Sequence, residues 1–330
     1  MIFLRMFAYL LPILFFCSIA CAQEDGRNLS NQIAAVIDTV HTTAGSDFVV
    51  ERTEGVDPRY ETVIKRLVKD GWDEAYVREI FSDSRTVYIP KMVTVKPRKK
   101  VDQSNWYTWV NTEESSKACI DFIKRHDSLL NAVEKQYGVD KETIAALLRC
   151  ETKHGTVTGD YHVLSVYASM TLMSEAWAIS DNSKNAREIM KEGGKTNKQI
   201  NDEIAWIKSR SKKRGNWAYK ELDHLLKIHK AGKWDVRDLY GSWAGAFGWA
   251  QFLPSSYRRL ATDGNGDGKI DLYSPSDAIH SVANYLSKGG YRSGNATKIK
   301  KALKSYNPSS AYANSIYALS VRVQKDMAEQ

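Results

Sequence analysis

Acid chemistry in this sequence centres on Glu151, within "LLRCETKHGTVTGDY" at 147–161. The stretch 140–155, "DKETIAALLRCETKHG", carries helical spacing. Asp140 suits the N-cap, Glu142 the positive first turn, and Gly155 a left-handed stop. Ile144, Leu147 and Leu148 form the apolar stripe, and Glu151, seven residues after Ile144, continues it. A carboxyl that enters a core in the last turn of a helix is pushed up in pKa by desolvation and by the helix's negative end. It can then stay protonated near neutrality and act as a general acid. The competing reading is a Glu that bends into solvent or pairs with Lys153 or Arg149. The stretch alone leaves both open.

A second set of residues lies at 241–257, "GSWAGAFGWAQFLPSSY". Gly241, Gly245 and Gly248, with Ala244, Ala246 and Ala250, strip side-chain bulk from six of ten positions, so a ligand or another backbone can approach. Trp243, Phe247 and Trp249 interleave with them as flat platforms for sugar rings or other apolar surfaces. Gln251 adds an amide that both donates and accepts. A packed junction with core aromatics is the alternative. Next comes "DGNGDGKID", in which Asp263, Asn265, Asp267, Lys269 (through its carbonyl) and Asp271 follow the opening of an EF-hand calcium loop. Position twelve is Ser274 instead of Glu, and Asp277 is the nearest acid able to close an enlarged loop. Weak calcium binding, sodium, or a metal-free Asp/Gly turn all fit that pattern.

The elements that must position these residues are mostly helices. Helical periodicity covers 57–71, 73–84, 116–138, 163–180, 217–232 and 276–290. Strand signals are confined to 85–95 and 47–53. Residues 181–212 are polar and charged with a Gly-Gly break, and read as a solvent-exposed helical excursion. Residues 23–58 read as a separate lead segment, and no internal repeat stands out.

The chain has 330 residues and a formal charge of +8, with 47 Lys and Arg against 39 Asp and Glu. That balance suits an anionic partner such as cell-wall polymer or a membrane headgroup. The basic clusters at 96–100 and 209–214 carry no nucleic-acid motif, so nucleic acid is not an expected partner. The N-terminus places Arg5 before an apolar run, Met6 to Ile19, and then small residues, which is a secretory signal over 1–22. "ACA" at 20–22 fits cleavage before Gln23, while "SIAC" fits a lipobox with Cys21 lipidated. Both predict export. No other segment is apolar enough to span a membrane. Of the four cysteines, Cys119 and Cys150 alone remain in a soluble mature form, as a disulfide or as two buried thiols. No zinc pattern is present.

Three motifs in fixed order, "ETKHGTVTGDY", "GSWAGAFGWAQFLPSSY" with its following "DGNGDGKIDLYSPSDAIHSVANYL", and the late "YNPSSAYANSIYAL", span roughly 60–325. With them the chain resembles the membrane-bound lytic murein transglycosylase B family. The resemblance implies a mainly α fold with a lysozyme-like catalytic core and a small β element over 59–330. It implies cleavage of the β-1,4 bond between N-acetylmuramic acid and N-acetylglucosamine in peptidoglycan, with 1,6-anhydro ends and Glu151 as the one acid and base. A water-using muramidase and a non-catalytic wall-binding scaffold are the alternatives. Ser242 and Tyr306 match hydroxyl residues near the acid, Gln251 a substrate-binding amide, and Asn307 and Tyr312 the "YNPS" border of the site. Tyr161 matches an aromatic of the "GDY" loop, and Arg214, beside Lys213, falls near a paired-Arg position. Asp263, Asn265, Asp267, Lys269 and Asp277 match the family's metal loop, with calcium or sodium as a structural ion and no cofactor for the chemistry. Peptidoglycan strands are the implied partner, in the periplasm, with an outer-membrane lipid anchor at Cys21 or a soluble form. Cell-wall protein partners are not identified. The "GWAQ" run before Gln251, the longer 181–212 stretch and Cys150 beside the acid depart from the family pattern.

Overall fold

The computed structural model describes residues 55–98 and 107–330. The signal, Cys21, the strand expected at 47–53 and most of the lead segment lie outside them. Among the described residues the chain is built from helices: α1 (Glu61–Lys69), α2 (Glu74–Phe81), α3 (Pro90–Val93), α4 (Glu113–Arg125), α5 (Asp127–Tyr137), α6 (Lys141–Thr152), α7 (Val163–Thr171), α8 (Ala176–Glu192), α9 (Asn197–Lys230), α10 (Pro254–Leu260), α11 (Pro275–Lys288), α12 (Ala296–Tyr306) and α13 (Ser310–Ala328). Two short strands, β1 (Tyr161–His162) and β2 (Tyr240–Gly241), pair antiparallel, Tyr161 opposite Gly241. The mainly α class with a small β element is therefore as expected. No helix among the described residues is long and apolar enough to cross a membrane.

The core forms around α6. Ile144, Ala145, Ala146, Leu147 and Leu148 are all fully buried. Each large aliphatic side chain there contributes about 2 kcal/mol through removal from water. Helix α6 is enclosed by α4 and α13, and α13 continues onto α12. Asp140 does start α6, but its side chain is not the cap. Its Oδ2 accepts from the Tyr291 hydroxyl at 2.8 Å, and Tyr291 also bonds Thr143 Oγ1 at 2.8 Å.

Helix α9 is the longest, 34 residues or roughly 50 Å. It begins with a capping box in which Thr196 and Gln199 satisfy each other's amides. The stretch 181–212 is helical across α8 and α9, but not wholly exposed. Ile200, Ile204 and Ile207 recur on one face and are buried. The helix then continues through the region expected at 217–232 without a break.

Three expectations differ from the structure. The helix at 116–138 is two helices, broken at His126 (φ −117°, ψ 28°). The one at 163–180 breaks at a 3₁₀ turn, Leu172–Ser174. The strand expected at 85–95 does not form. Its extended backbone instead bonds helix side chains: Val87 N to Ser165 Oγ and Ile89 N to Ser169 Oγ, both 2.9 Å. Pro90 then starts the single turn α3. β-branched content resembled a strand because a strand and an extended strap need the same backbone. What they differ in is the partner.

Candidate active site

Glu151 sits in the last turn of α6 and is 5 % exposed. Burial raises its pKa to about 7, and a hydrogen bond from Tyr312 partly offsets that rise. The Tyr312 hydroxyl, on α13, donates to Glu151 Oε1 at 2.5 Å. Tyr312 is itself buried, and the edge of Tyr107 meets its ring at 5.7 Å between centroids. The alternative of a solvent-facing or Lys-paired Glu151 does not occur. Arg149 instead bonds Glu114 at 3.2 Å. At neutral pH the carboxyl is thus divided between its acid and base forms, which suits a group that must first give and then take a proton.

The helix ends at Thr152, three residues before Gly155. Lys153 (φ 49°), His154 (φ 58°) and Gly155 (φ 85°) all adopt left-handed conformations. Gly155 is required here for space as well as for φ, because a Cβ would fall 1.9 Å from the Trp249 ring. Thr152 Oγ1 donates to the Trp249 carbonyl at 2.9 Å and accepts from Gly155 N at 3.0 Å. The end of α6 is thereby joined to the 241–252 segment.

That segment is a chain of tight turns. Phe247 pairs with Gly241 and with Phe252 through isolated bridges, and Trp249 N donates to Leu272 O at 2.8 Å. A Cβ on Gly159 would lie 2.3 Å from the Gly241 carbonyl, so the close approach of the chain before β1 to β2 demands glycine. The Tyr167 hydroxyl donates to Gly245 O at 2.9 Å. Trp243 and Trp249 are half-buried, but Phe247 is fully buried and belongs to the core rather than to a sugar platform. Sequence alternation could not separate the three rings, since turns replace a regular period.

Gln251 takes a left-handed conformation (φ 49°) and its Nε2 donates to Thr158 O at 3.0 Å and Gly248 O at 2.9 Å. Both amide hydrogens are engaged in holding the loop. Ser242 Oγ accepts from Ala246 N at 3.2 Å. Tyr306 donates to the Ala250 carbonyl and feels the charge of Glu151. Asn307 is buried, its Oδ1 accepting from Ser309 N at 3.2 Å. Tyr161 is half-exposed on β1, opposite Gly241, which has no side chain. Arg214, on α9, lies 5.6 Å from the Trp243 ring centroid. Burial, with Arg210 nearby, lowers its pKa to about 10, so it remains a cation. Sequence reasoning did not single out Tyr107, Thr152 or His154. Only their closeness to the site in the folded chain marks them.

The 263–277 loop is closed by its own amides. Asp263 accepts from Gly266 N at 2.7 Å and Gly268 N at 2.8 Å, and Asp267 Oδ1 from Lys269 N at 2.8 Å. Asn265 Oδ1 accepts from Asp267 N at 3.0 Å. Asp277, 1 % exposed, bridges Gly264 N at 2.8 Å and Asp271 N at 2.6 Å. The donors are hard oxygens of the kind calcium takes. Among the described residues no three His, Cys, Asp or Glu side chains gather closely enough to hold an ion. Cys119 and Cys150 are buried thiols rather than a disulfide.

A mainly helical core that presents one buried, half-protonated carboxyl at a helix end defines a lysozyme-like class of glycosidic-bond-cleaving enzyme. Residues 55–301 match the family described as transglycosylase SLT domain, and the chain belongs to that family. The protein is a lytic transglycosylase. It is 26 % identical over 317 residues to membrane-bound lytic murein transglycosylase B of Escherichia coli K12, covering 90 % of this chain and 75 % of that protein. Its fold is similar to the E. coli lytic transglycosylase Slt35 in complex with bulgecin A (TM-score 0.61, 21 % identity, 84 % of this chain and 97 % of the other). It is also similar to the soluble lytic transglycosylase SltB1 of Pseudomonas aeruginosa (TM-score 0.63, 20 % identity, 82 % of this chain and 100 % of the other). The resemblance drawn from three ordered motifs is a family relationship.

Proposed function

We propose that the protein cleaves the β-1,4 bond between N-acetylmuramic acid and N-acetylglucosamine in peptidoglycan, with Glu151 as its acid and base. The observation that carries this is the dry carboxyl of Glu151, balanced near neutrality and hydrogen-bonded by Tyr312. The other buried acids among the described residues are Asp57, Glu203, Glu221 and Asp277. Each is committed elsewhere, to Arg59, Arg98, Ser255 and loop amides respectively. None of these is placed as the second carboxylate of an ordinary glycosidase.

In this reading one group serves both halves of the reaction. Glu151 gives its proton to the glycosidic oxygen as the C1–O bond breaks. The muramic N-acetyl oxygen stabilises the cationic C1. The Glu151 carboxylate then removes the proton of the muramic 6-hydroxyl, whose oxygen bonds C1. No water is consumed, and the intramolecular nucleophile has a large advantage in effective concentration. Tyr312 and Tyr306 orient the acid and the N-acetyl group. Ser242, Gln251, Asn307 and Tyr161 line the path of the sugars, and Arg214 with Trp243 offers a cation beside an aromatic face. Digestion of sacculi tests the scheme by mass spectrometry. Muropeptides lighter than hydrolytic products by one water support it. Products that carry the added water make the enzyme a muramidase, and binding without any product leaves a scaffold.

The 263–277 loop acts in this scheme as a structural clip. A solved Slt35 structure is described as a complex with calcium. In the present chain the loop's own amides already hold its carboxylates in place, so the loop is expected to keep its shape without an ion. Thermal unfolding is therefore expected to be the same in EDTA and in micromolar calcium, and to rise in Tm only at millimolar calcium. A large fall in Tm in EDTA would overturn the clip.

The protein works in the periplasm, anchored to the outer membrane through Cys21. The curated E. coli relative is membrane-bound by name. Cys21→Ala is expected to move the protein from the membrane to the soluble fraction. An unchanged distribution would leave the soluble form cut before Gln23.

A further inference from the structure

The turn that follows Glu151 is unusual. Two consecutive L residues, Lys153 and His154, are left-handed before Gly155. Side chains rarely adopt that conformation unless the surroundings hold them there, and such strain clusters at functional sites. The holding contacts converge on His154. Its backbone N–H donates to Leu148 O at 3.0 Å. Its Nε2 lies 3.0 Å from the Ala145 carbonyl, and its ring lies flat on Phe122 of α4, 4.3 Å between centroids and 7° from parallel. A carbonyl can only accept, so Nε2 carries the hydrogen and Ala145 fixes the tautomer. The groups around the ring are Arg149 on α6, Arg125 and Cys119 on α4, and His126 just beyond α4. Burial, with Arg149 and Arg125 adding to it, pushes the imidazole down to about 4, so the ring is neutral near neutral pH.

We propose that His154 is a positioning residue for Glu151, a staple that ties the end of α6 to its own Ala145 carbonyl and to Phe122. The proposal rests on Glu151 being the acid and base. One side chain performs two tasks that ordinary substitutes separate. Phenylalanine can stack on Phe122 but has no N–H for Ala145. Glutamine can donate but cannot stack. On the other side of the turn, Thr152 and Gly155 engage Trp249, so the helix end is held between α4 and the 241–252 segment. A loosened turn admits water to Glu151, and hydration favours the carboxylate.

The experiment compares His154→Phe, His154→Gln and His154→Ala with wild type and Glu151→Gln, using initial rates on sacculi from pH 5 to 9 and circular dichroism for folding. The Phe and Gln variants are expected to lose about tenfold in kcat, and the Ala variant more, with KM little changed. The alkaline limb of activity should move to lower pH as Glu151 becomes wetter. Folded Phe and Gln variants with wild-type kcat and an unmoved limb overturn the proposal. So does a fall in rate without any shift of the limb, which marks a merely structural residue. The Phe and Gln variants carry the test where Ala does not fold. If Glu151→Gln keeps its activity, the acid assignment itself fails. If it is inactive while the His154 variants are unaltered, only the staple fails.

Discussion

Glu151→Gln is expected to lower turnover of peptidoglycan by about 10³-fold or more while leaving substrate binding intact, because the amide can neither donate the proton nor recover it. General acid–base catalysis alone contributes about 10²–10⁴-fold, and here one group serves both steps. In wild type, kcat/KM should fall as pH rises above about 7, where the acid form of Glu151 is lost. The same shift has a stability signature opposite in sign to that of an ion-paired acid. The folded-state pKa is raised, so the fold is penalised for ionising Glu151. The penalty is absent below the ordinary value of 4.5, grows as pH rises, and is complete above about 7. Its size is about 3 kcal/mol from the shift in pKa. Glu151→Gln should therefore raise Tm at pH 8 and change it little at pH 4.5. Equal Tm differences at the two pH values would mean that the carboxyl is not desolvated.

Tyr312→Phe is the second large effect. It keeps the ring packed on Tyr107 and removes only the hydroxyl that bonds Glu151. That bond favours the carboxylate and lowers the Glu151 pKa. Without it the pKa rises further, so the alkaline limb should move to higher pH. Glu151 is then a weaker acid towards the glycosidic oxygen, and the carboxylate left by that transfer is less stabilised and less well aimed at the muramic proton. A loss of about tenfold to a hundredfold in kcat near neutrality is expected, with a more alkaline optimum. A pH–rate profile of the variant checks both. A limb that moves to lower pH would show that the hydroxyl does not stabilise the ionised form. This variant and His154→Phe are expected to move the limb in opposite directions, one by removing a bond to the carboxylate and the other by admitting water.

Much of the site was legible where it depends on neighbours along the chain. The seven-residue spacing to Ile144 put Glu151 on the apolar face of the helix, one of the two readings the stretch left open, and the folded chain buries it there. The glycines of 241–248 were read as positions of close approach, and Gly241, Gly245 and Gly248 each leave no room for a Cβ. Helix interiors were recovered by periodicity, but helix breaks were not. His126 and the turn at Leu172–Ser174 carry no Pro or Gly, and tertiary packing overrides their helical preference. Phe247 looked like its neighbours Trp243 and Trp249, yet it is the one that turns inward.

What the amino-acid order decided, then, is the helical character, the chemistry available and its carriers: one acid at a helix end, a run of small residues, and aromatic rings interleaved with them. These are short-range consequences of side-chain periodicity and glycine's backbone freedom. Only the folded chain decided which groups meet. Tyr312 reaches Glu151 across 161 residues, and Thr152 reaches the Trp249 carbonyl across 97. It also decided that the Asp263–Asp277 oxygens are satisfied by amides, and that His154 faces Phe122 rather than solvent. The pKa of Glu151 belongs to this second group. A carboxyl's spacing can put it on a buried face, but how dry it is, and whether a hydroxyl lies 2.5 Å away, depends on how α4 and α13 close around α6.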